Sequence, residues 1–164
     1  MVIGGQAVLL YGEPRLTRDI DITLGLDVDA TDRVLAATAS IPLKPLIPDI
    51  TEFVRSTRVL PLQHVESGIR VDLIFSFSSY EETALKRVTT RTILGRAVCY
   101  ASVEDVIIHK MVAGRPRDLE DVRSILTRNA ARDDTYVRRW LSEFETVTGK
   151  SLGAEYARML EETE

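Results

Sequence analysis

A chain of 164 residues suffices for one domain with a real apolar core, and its 45% apolar and 28% charged content is that of an ordinary soluble globule. The formal net charge of −4 excludes a global electrostatic pull toward nucleic acid or membrane, although basic residues outnumber acidic ones between Lys86 and Arg139. No apolar stretch is long enough to span a bilayer and no signal-peptide pattern is present, while the single Cys99 rules out an intrachain disulfide and fits a reducing, cytoplasmic setting.

Met1 to Ile3 reads as the end of a buried strand that breaks at Gly4-Gly5, where missing side chains permit a tight turn and close approach by a ligand. The short helix expected over Gln6 to Tyr11 would begin with free N–H groups and a positive dipole end, an arrangement suited to phosphate. Gly12-Glu13-Pro14 closes that helix, and Arg15, Thr17 and Arg18 lead into a strand from Asp19 to Leu24. Residues two apart on a strand share a face at a spacing of about 6.6 Å, so Asp19 and Asp21 reach one ion while Ile20 and Ile22 turn to a core. Carboxylates this close repel unless a positive charge sits between them, and a divalent metal is the usual solution; the wet face of an alternating strand is the other reading.

Gly25 to Asp29 is a turn, followed by an amphipathic helix over Ala30 to Ala39 with Asp29 or Thr31 as its N-cap. Pro42, Pro45 and Pro48 predict an irregular Ile41 to Asp49, and a short helical turn is expected at Ile50 to Arg55. Two β-type runs, Arg58 to Val65 and Ile69 to Phe75, form a hairpin across Glu66-Ser67-Gly68. In the second, Arg70, Asp72 and Ile74 share one face and Val71, Leu73 and Phe75 the other. A carboxylate flanked by such residues is costly unless paired, hydrogen-bonded or bound to metal, which marks Asp72 as a candidate site residue.

Ser79 to Val88 is a helix capped by Ser78 or Ser79, and Thr89 to Leu94 with Arg96 to Tyr100 is a second hairpin, in which Cys99 reads as a buried small hydrophobe. Ser102 to Asp105 is a capping-box pattern opening a helix that runs to Ala113 and ends at Gly114. Lys110 lies on it among Val106, Ile107, Met111 and Val112. After the break at Gly114-Arg115-Pro116, a helix over Arg117 to Arg128 carries Asp118 and Asp121 one turn apart. Two more amphipathic helices, Asp133 to Thr148 and Ser151 to Glu162, complete the chain, with Trp140, Leu141, Phe144 and Val147 spaced as a core stripe. His64 and His109 fit packed or surface positions, and no zinc pattern exists. Strands and helices alternate early and helices dominate late, so an α/β (α+β) fold is expected: a mixed sheet core over 1–100 and a helical part over 101–164 packed on it.

Ile3-Gly4-Gly5, Arg15-x-Thr17-x-Asp19-Ile20-Asp21-Ile22 and Val71-Asp72-Leu73-Ile74 together resemble the DNA polymerase β-type nucleotidyltransferase superfamily. With Lys110 and Arg115-x-Arg117-Asp118-x-x-Asp121, the pattern looks like the AbiEii/AbiGii toxin group of that superfamily, over roughly Met1 to Leu126. The resemblance implies that Asp19, Asp21 and Asp72 hold two Mg²⁺ (or Mn²⁺) ions and that Asp72 takes the incoming proton. It further implies that Gly4 and Gly5 cradle the phosphates of a nucleoside triphosphate such as ATP, and that Lys110 stabilises its charge. Arg15 and Thr17 position the loop or a phosphate, and Asp118 and Asp121 orient Lys110 or Arg117; a helix-surface ion pair is the plainer reading of those two aspartates.

The activity implied is transfer of a nucleoside monophosphate to a hydroxyl of RNA, tRNA-like, or of protein, within a toxin–antitoxin pair. The other class of function is a non-catalytic nucleotide-binding or scaffolding module. Members of the superfamily carry a helix before the first strand, whereas this sequence opens on the strand, which implies an upstream start or a neighbouring subunit, as in a homodimer, covering that strand's edge.

Overall fold

The structure, a computed structural model, describes residues 1–163. Its strands are β1 (Val2–Ile3), β2 (Asp19–Leu24), β3 (Leu43–Pro45), β4 (Val59–His64), β5 (Arg70–Phe75), β6 (Thr89–Ile93) and β7 (Arg96–Tyr100). Its helices are α1 (Gly4–Tyr11), α2 (Thr31–Thr38), α3 (Ile50–Thr57), α4 (Ser79–Leu85), α5 (Val103–Ala113), α6 (Pro116–Arg128), α7 (Asp134–Thr148) and α8 (Leu152–Thr163). Two units divide the chain: residues 1–6 with 16–100, and residues 7–15 with 101 onward.

The first unit is built on a mixed sheet of seven strands in the order β3-β4-β5-β2-β1-β7-β6, the α/β class expected from the sequence. Alternation dictates its two faces. Leu60 and Leu62 of β4 and Val71, Leu73 and Phe75 of β5 are buried with Val34 of α2 and Val54 of α3, and Ile20, Ile22 and Leu24 of β2 pack against them. This apolar cluster fixes the register, because a slip of one residue would turn every one of these side chains to the opposite face.

Several local expectations change. β1 pairs with β2 on one side and β7 on the other, so it has no open edge for a second subunit to cover. Prolines did not prevent a strand in the segment after α2: Leu43–Pro45 is the sheet's edge, a position where a missing N–H goes unneeded. Asp27, rather than Asp29 or Thr31, caps the single 3₁₀ turn that leads into α2, accepting from the Val28 N–H at 2.6 Å. Cys99 is exposed, not buried. β7 meets the two-residue β1 only at Tyr100, so the β6–β7 hairpin extends past its neighbour and most of it stays in solvent.

The second unit contains α5 to α8. Ser102 caps α5 and Gly114, at φ +66°, ends it, so the capping serine and terminal glycine stand where local chemistry placed them. Asp105, Val106, Ile107, Ile108 and Met111 of α5 are buried with Val122, Ile125 and Leu126 of α6, Val137, Trp140 and Leu141 of α7, and Tyr156, Met159 and Leu160 of α8. The α7 stripe runs one turn earlier than its spacing predicts: Val137 is buried and Val147 is exposed. None of the described helices is long and apolar enough to cross a membrane.

Candidate active site

In the first unit β2 and β5 run parallel, and their register sets Asp21 directly beside Asp72 and Asp19 directly beside Arg70. Laterally paired residues point to the same face, so Asp19, Asp21 and Asp72 project together from the side opposite the apolar cluster, about 4.8 Å apart between strands. Ile3 of β1 pairs with Asp21 on the other flank. Asp19 is exposed and Asp21 and Asp72 are half-buried, so solvent reaches this face of the sheet. Arg70 completes the array. Its Nε donates to Asp72 Oδ1 at 2.8 Å, and that bond, with the added attraction of Asp72, Asp19 and Asp21, holds the guanidinium above its ordinary pKa despite some opposing burial.

The donor set suits a hard divalent cation, since ionised carboxylates on one face are the oxygen ligands that Mg²⁺ takes. Among the described residues, no three carboxylate, imidazole or thiolate groups are already closed around a single point. The backbone beside them is shaped for close approach. Gly4 opens α1 at φ +62°, and a Cβ built there would lie 2.0 Å from Asp21 Oδ2. The Gly-Gly step is thus the first turn of the helix and not a break ahead of it, and Gly5 is buried. Thr17 accepts a hydrogen bond from the Gln6 side-chain amide, tying the loop before β2 to α1.

This predicts a measurable asymmetry between two glycines. Gly95, at φ +76°, has open space where a Cβ would go. Gly95→Ala should therefore cost only the left-handed backbone penalty of about 1–2 kcal/mol. Gly4→Ala should cost more in urea denaturation, because the new methyl displaces the Asp21 carboxylate; equal costs would contradict the packing described.

In the second unit, the turn Gly114-Arg115-Pro116 sends the chain back so that the end of α5 meets the start of α6. Lys110 Nζ donates to Asp118 Oδ1 at 2.7 Å and lies 3.0 Å from Asp121 Oδ2. Asp118 also accepts from Arg115 Nε at 2.6 Å, and Asp121 is gripped by both Arg15 nitrogens, Nε and Nη2, at 2.9 Å each. The two carboxylates and the ammonium are only 3%, 5% and 7% exposed, so this is a buried network in which each anion bridges Lys110 and one arginine. Burial is the largest single influence on both carboxyls and pushes them up, but the hydrogen bonds and charges of Arg115 and Lys110 on Asp118, and of Arg15 and Lys110 on Asp121, hold both below the ordinary carboxylate value. Arg117 points elsewhere: it pairs with Glu120 at 2.9 Å on the surface. With Arg15, Glu13, Glu120, Asp121 and Ser124 it lines a cavity of about 270 Å³.

Residues 2–162 match the family described as nucleotidyl transferase AbiEii toxin, type IV TA system. The chain belongs to the AbiEii nucleotidyltransferase family. The match runs through α7 and α8, beyond the reach of the motif resemblance. No curated protein matches it in sequence. Among solved structures, an antigenic nucleotidyltransferase-like protein from Paracoccidioides brasiliensis is similar with a TM-score of 0.55 at 16% identity, over 98% of this chain and 83% of that one. The lincosamide antibiotic adenylyltransferase LnuA, in its lincomycin-bound structure, is similar with a TM-score of 0.50 at 19% identity, over 76% of this chain and 83% of its own. At such identities the likeness is one of fold, and it is the nucleotidyltransferase fold.

Membership in the AbiEii family makes the chain a nucleotidyltransferase, and sets the two charged arrays in context. The sequence picked out Asp19, Asp21 and Asp72 because each sits on an alternating strand, a local signal. It placed Arg70 on the face of Asp72 without singling it out, although two residues' spacing was the available clue. Nothing local announced that Arg15 would grip Asp121, 106 residues away.

Proposed function

We propose that this AbiEii-family chain transfers a nucleoside monophosphate from a nucleoside triphosphate to a hydroxyl of an acceptor RNA, releasing pyrophosphate. The observation that carries the reading is the shared face of Asp19, Asp21 and Asp72, with Asp21 and Asp72 in direct lateral register. These three would hold divalent cations, Mg²⁺ or Mn²⁺. Such ions would supply positive charge to the phosphoryl oxygens and to the attacking hydroxyl of an in-line displacement. Asp72, between the buried Val71 and Leu73 on its strand, would accept the proton that the hydroxyl gives up. Gly4, half-buried at the opening of α1, would offer its backbone to phosphate with Gly5 buried behind it, and Thr17 fixes the loop before β2 through Gln6.

Within the second unit, Asp118 and Asp121 hold Lys110 and Arg15 in fixed orientation. An RNA acceptor is supported by the chain's charge pattern. From Thr83 to Val103 there is no acid, while Lys86, Arg87, Arg91 and Arg96 fall within that stretch, and β6–β7 within it is largely exposed. The family description includes toxins of type IV toxin–antitoxin systems, which supports a cognate partner protein for this chain as well.

Pyrophosphate release from each of the four nucleoside triphosphates, with Mg²⁺ and total RNA, tests the proposal. Release that needs Mg²⁺ and RNA supports it. Release driven by a protein lysate instead of RNA would move the acceptor to a protein hydroxyl, and nucleotide binding without release would favour a non-catalytic binding module.

A further inference from the structure

Three carboxylates on one sheet face need a counter-charge even when no metal is bound, and the strand register provides one. Asp19 and Arg70 form one lateral row, Asp21 and Asp72 the next, so the guanidinium stands beside one carboxylate across the sheet and two residues from another along its own strand. Its 2.8 Å contact with Asp72 Oδ1 engages one of the two oxygens that this carboxylate can offer a divalent cation. Arginine cannot yield that oxygen by losing a proton, because its guanidinium stays charged at any pH a protein tolerates. It can yield only by moving. The asymmetry of exposure leaves room on one side only: the Arg70 side chain is 52% exposed, whereas Asp72 is 15% exposed on a strand with paired neighbours on both sides.

We infer that Arg70 is the resident counter-cation of the carboxylate face, an internal competitor that holds Asp72 in the metal-free protein and swings into solvent when a divalent cation takes the oxygen it engages. The inference rests on the reading of Asp19, Asp21 and Asp72 as metal-binding. The arrangement keeps the face from collapsing under its own repulsion before a metal arrives, and it raises the concentration of free cation needed to fill the site.

The test titrates Mn²⁺ alone into the purified full chain and follows the free ion by electron paramagnetic resonance, without nucleotide. Arg70→Gln is expected to bind Mn²⁺ roughly fivefold tighter than wild type, the effect of removing one solvent-facing ion pair that competes with the metal. Arg70→Lys, which keeps the charge, should stay near wild type, and added salt should shrink the difference because the pair is partly exposed. If Arg70→Gln binds no more tightly than wild type while Asp21→Asn loses the ion, the inference on Arg70 is overturned and the metal reading stands. If neither wild type nor Arg70→Gln binds Mn²⁺, both fall together.

Discussion

Asp21→Asn is expected to reduce nucleotidyl transfer by at least two to three orders of magnitude, on the order of 10²–10³ or more, while leaving the fold intact. The size follows from what the side chain is positioned to do. It lies in the middle of β2, flanked by β5 and β1, with Asp72 beside it on one strand and Ile3 on the other. Removing its charge takes away an electrostatic contact that matters most when negative charge builds on the transferred phosphoryl group, the kind of loss that costs roughly 10²–10³ in rate. Asparagine keeps the shape, so the urea midpoint should stay close to that of wild type. The drop should appear in kcat rather than in the KM for nucleotide alone, since the contact strengthens toward the transition state. A variant with near-normal turnover would remove Asp21 from the chemistry.

The second large effect is on stability. Lys110→Met should cost about 3 kcal/mol in urea denaturation, because it deprives two buried carboxylates of a shared cation, and breaking a buried pair from one side is strongly destabilising. Arg115 and Arg15 remain on Asp118 and Asp121, which sets the loss at the lower end of that range. Replacing Lys110 together with both aspartates, as Lys110→Met with Asp118→Asn and Asp121→Asn, should recover part of the loss, since no unpaired charge is then left inside.

The same network predicts a pH dependence. Asp118 and Asp121 have folded-state pKa values below the ordinary 3.8, so the unfolded chain binds their protons more readily. Their stabilisation is therefore complete above about pH 5 and is lost as the pH falls through 3.8 toward the lowered folded values. Lys110→Met should flatten this acid limb. Any loss of activity in that variant has to be set against its stability, because Lys110 holds a unit together whatever it also does for a nucleotide.

How much of this was legible in the sequence depended on the range of the signal. The Asp19–Leu24 strand keeps its expected bounds, the strand expected from Ile69 starts one residue later at Arg70, and Ser78, one of two serines offered as a cap, and Ser102 cap their helices, because period-two alternation and N-cap chemistry are written within a few residues. The edge strand Leu43–Pro45 was hidden, since prolines forbid a central strand but not an edge, and only the finished sheet says which it is. Cys99 was misplaced for a related reason: its apolar neighbours suggested burial, but burial was decided by the length of β1, two residues, against which its hairpin lies. In the candidate site, the three carboxylates announced themselves through their strands. Their counter-charge Arg70 and the Arg15–Asp121 clasp did not, because each depends on which strands or helices become neighbours.

The central claim is that Asp19, Asp21 and Asp72 form a working nucleotidyl-transfer site. Its most direct test incubates the chain with Mg²⁺, each α-³²P-labelled nucleoside triphosphate and total RNA, beside Asp19→Ala under the same conditions. Label is expected to join RNA with the wild type and not to rise above background with Asp19→Ala; no label in any RNA or protein, or equal labelling by both proteins, would contradict a working site.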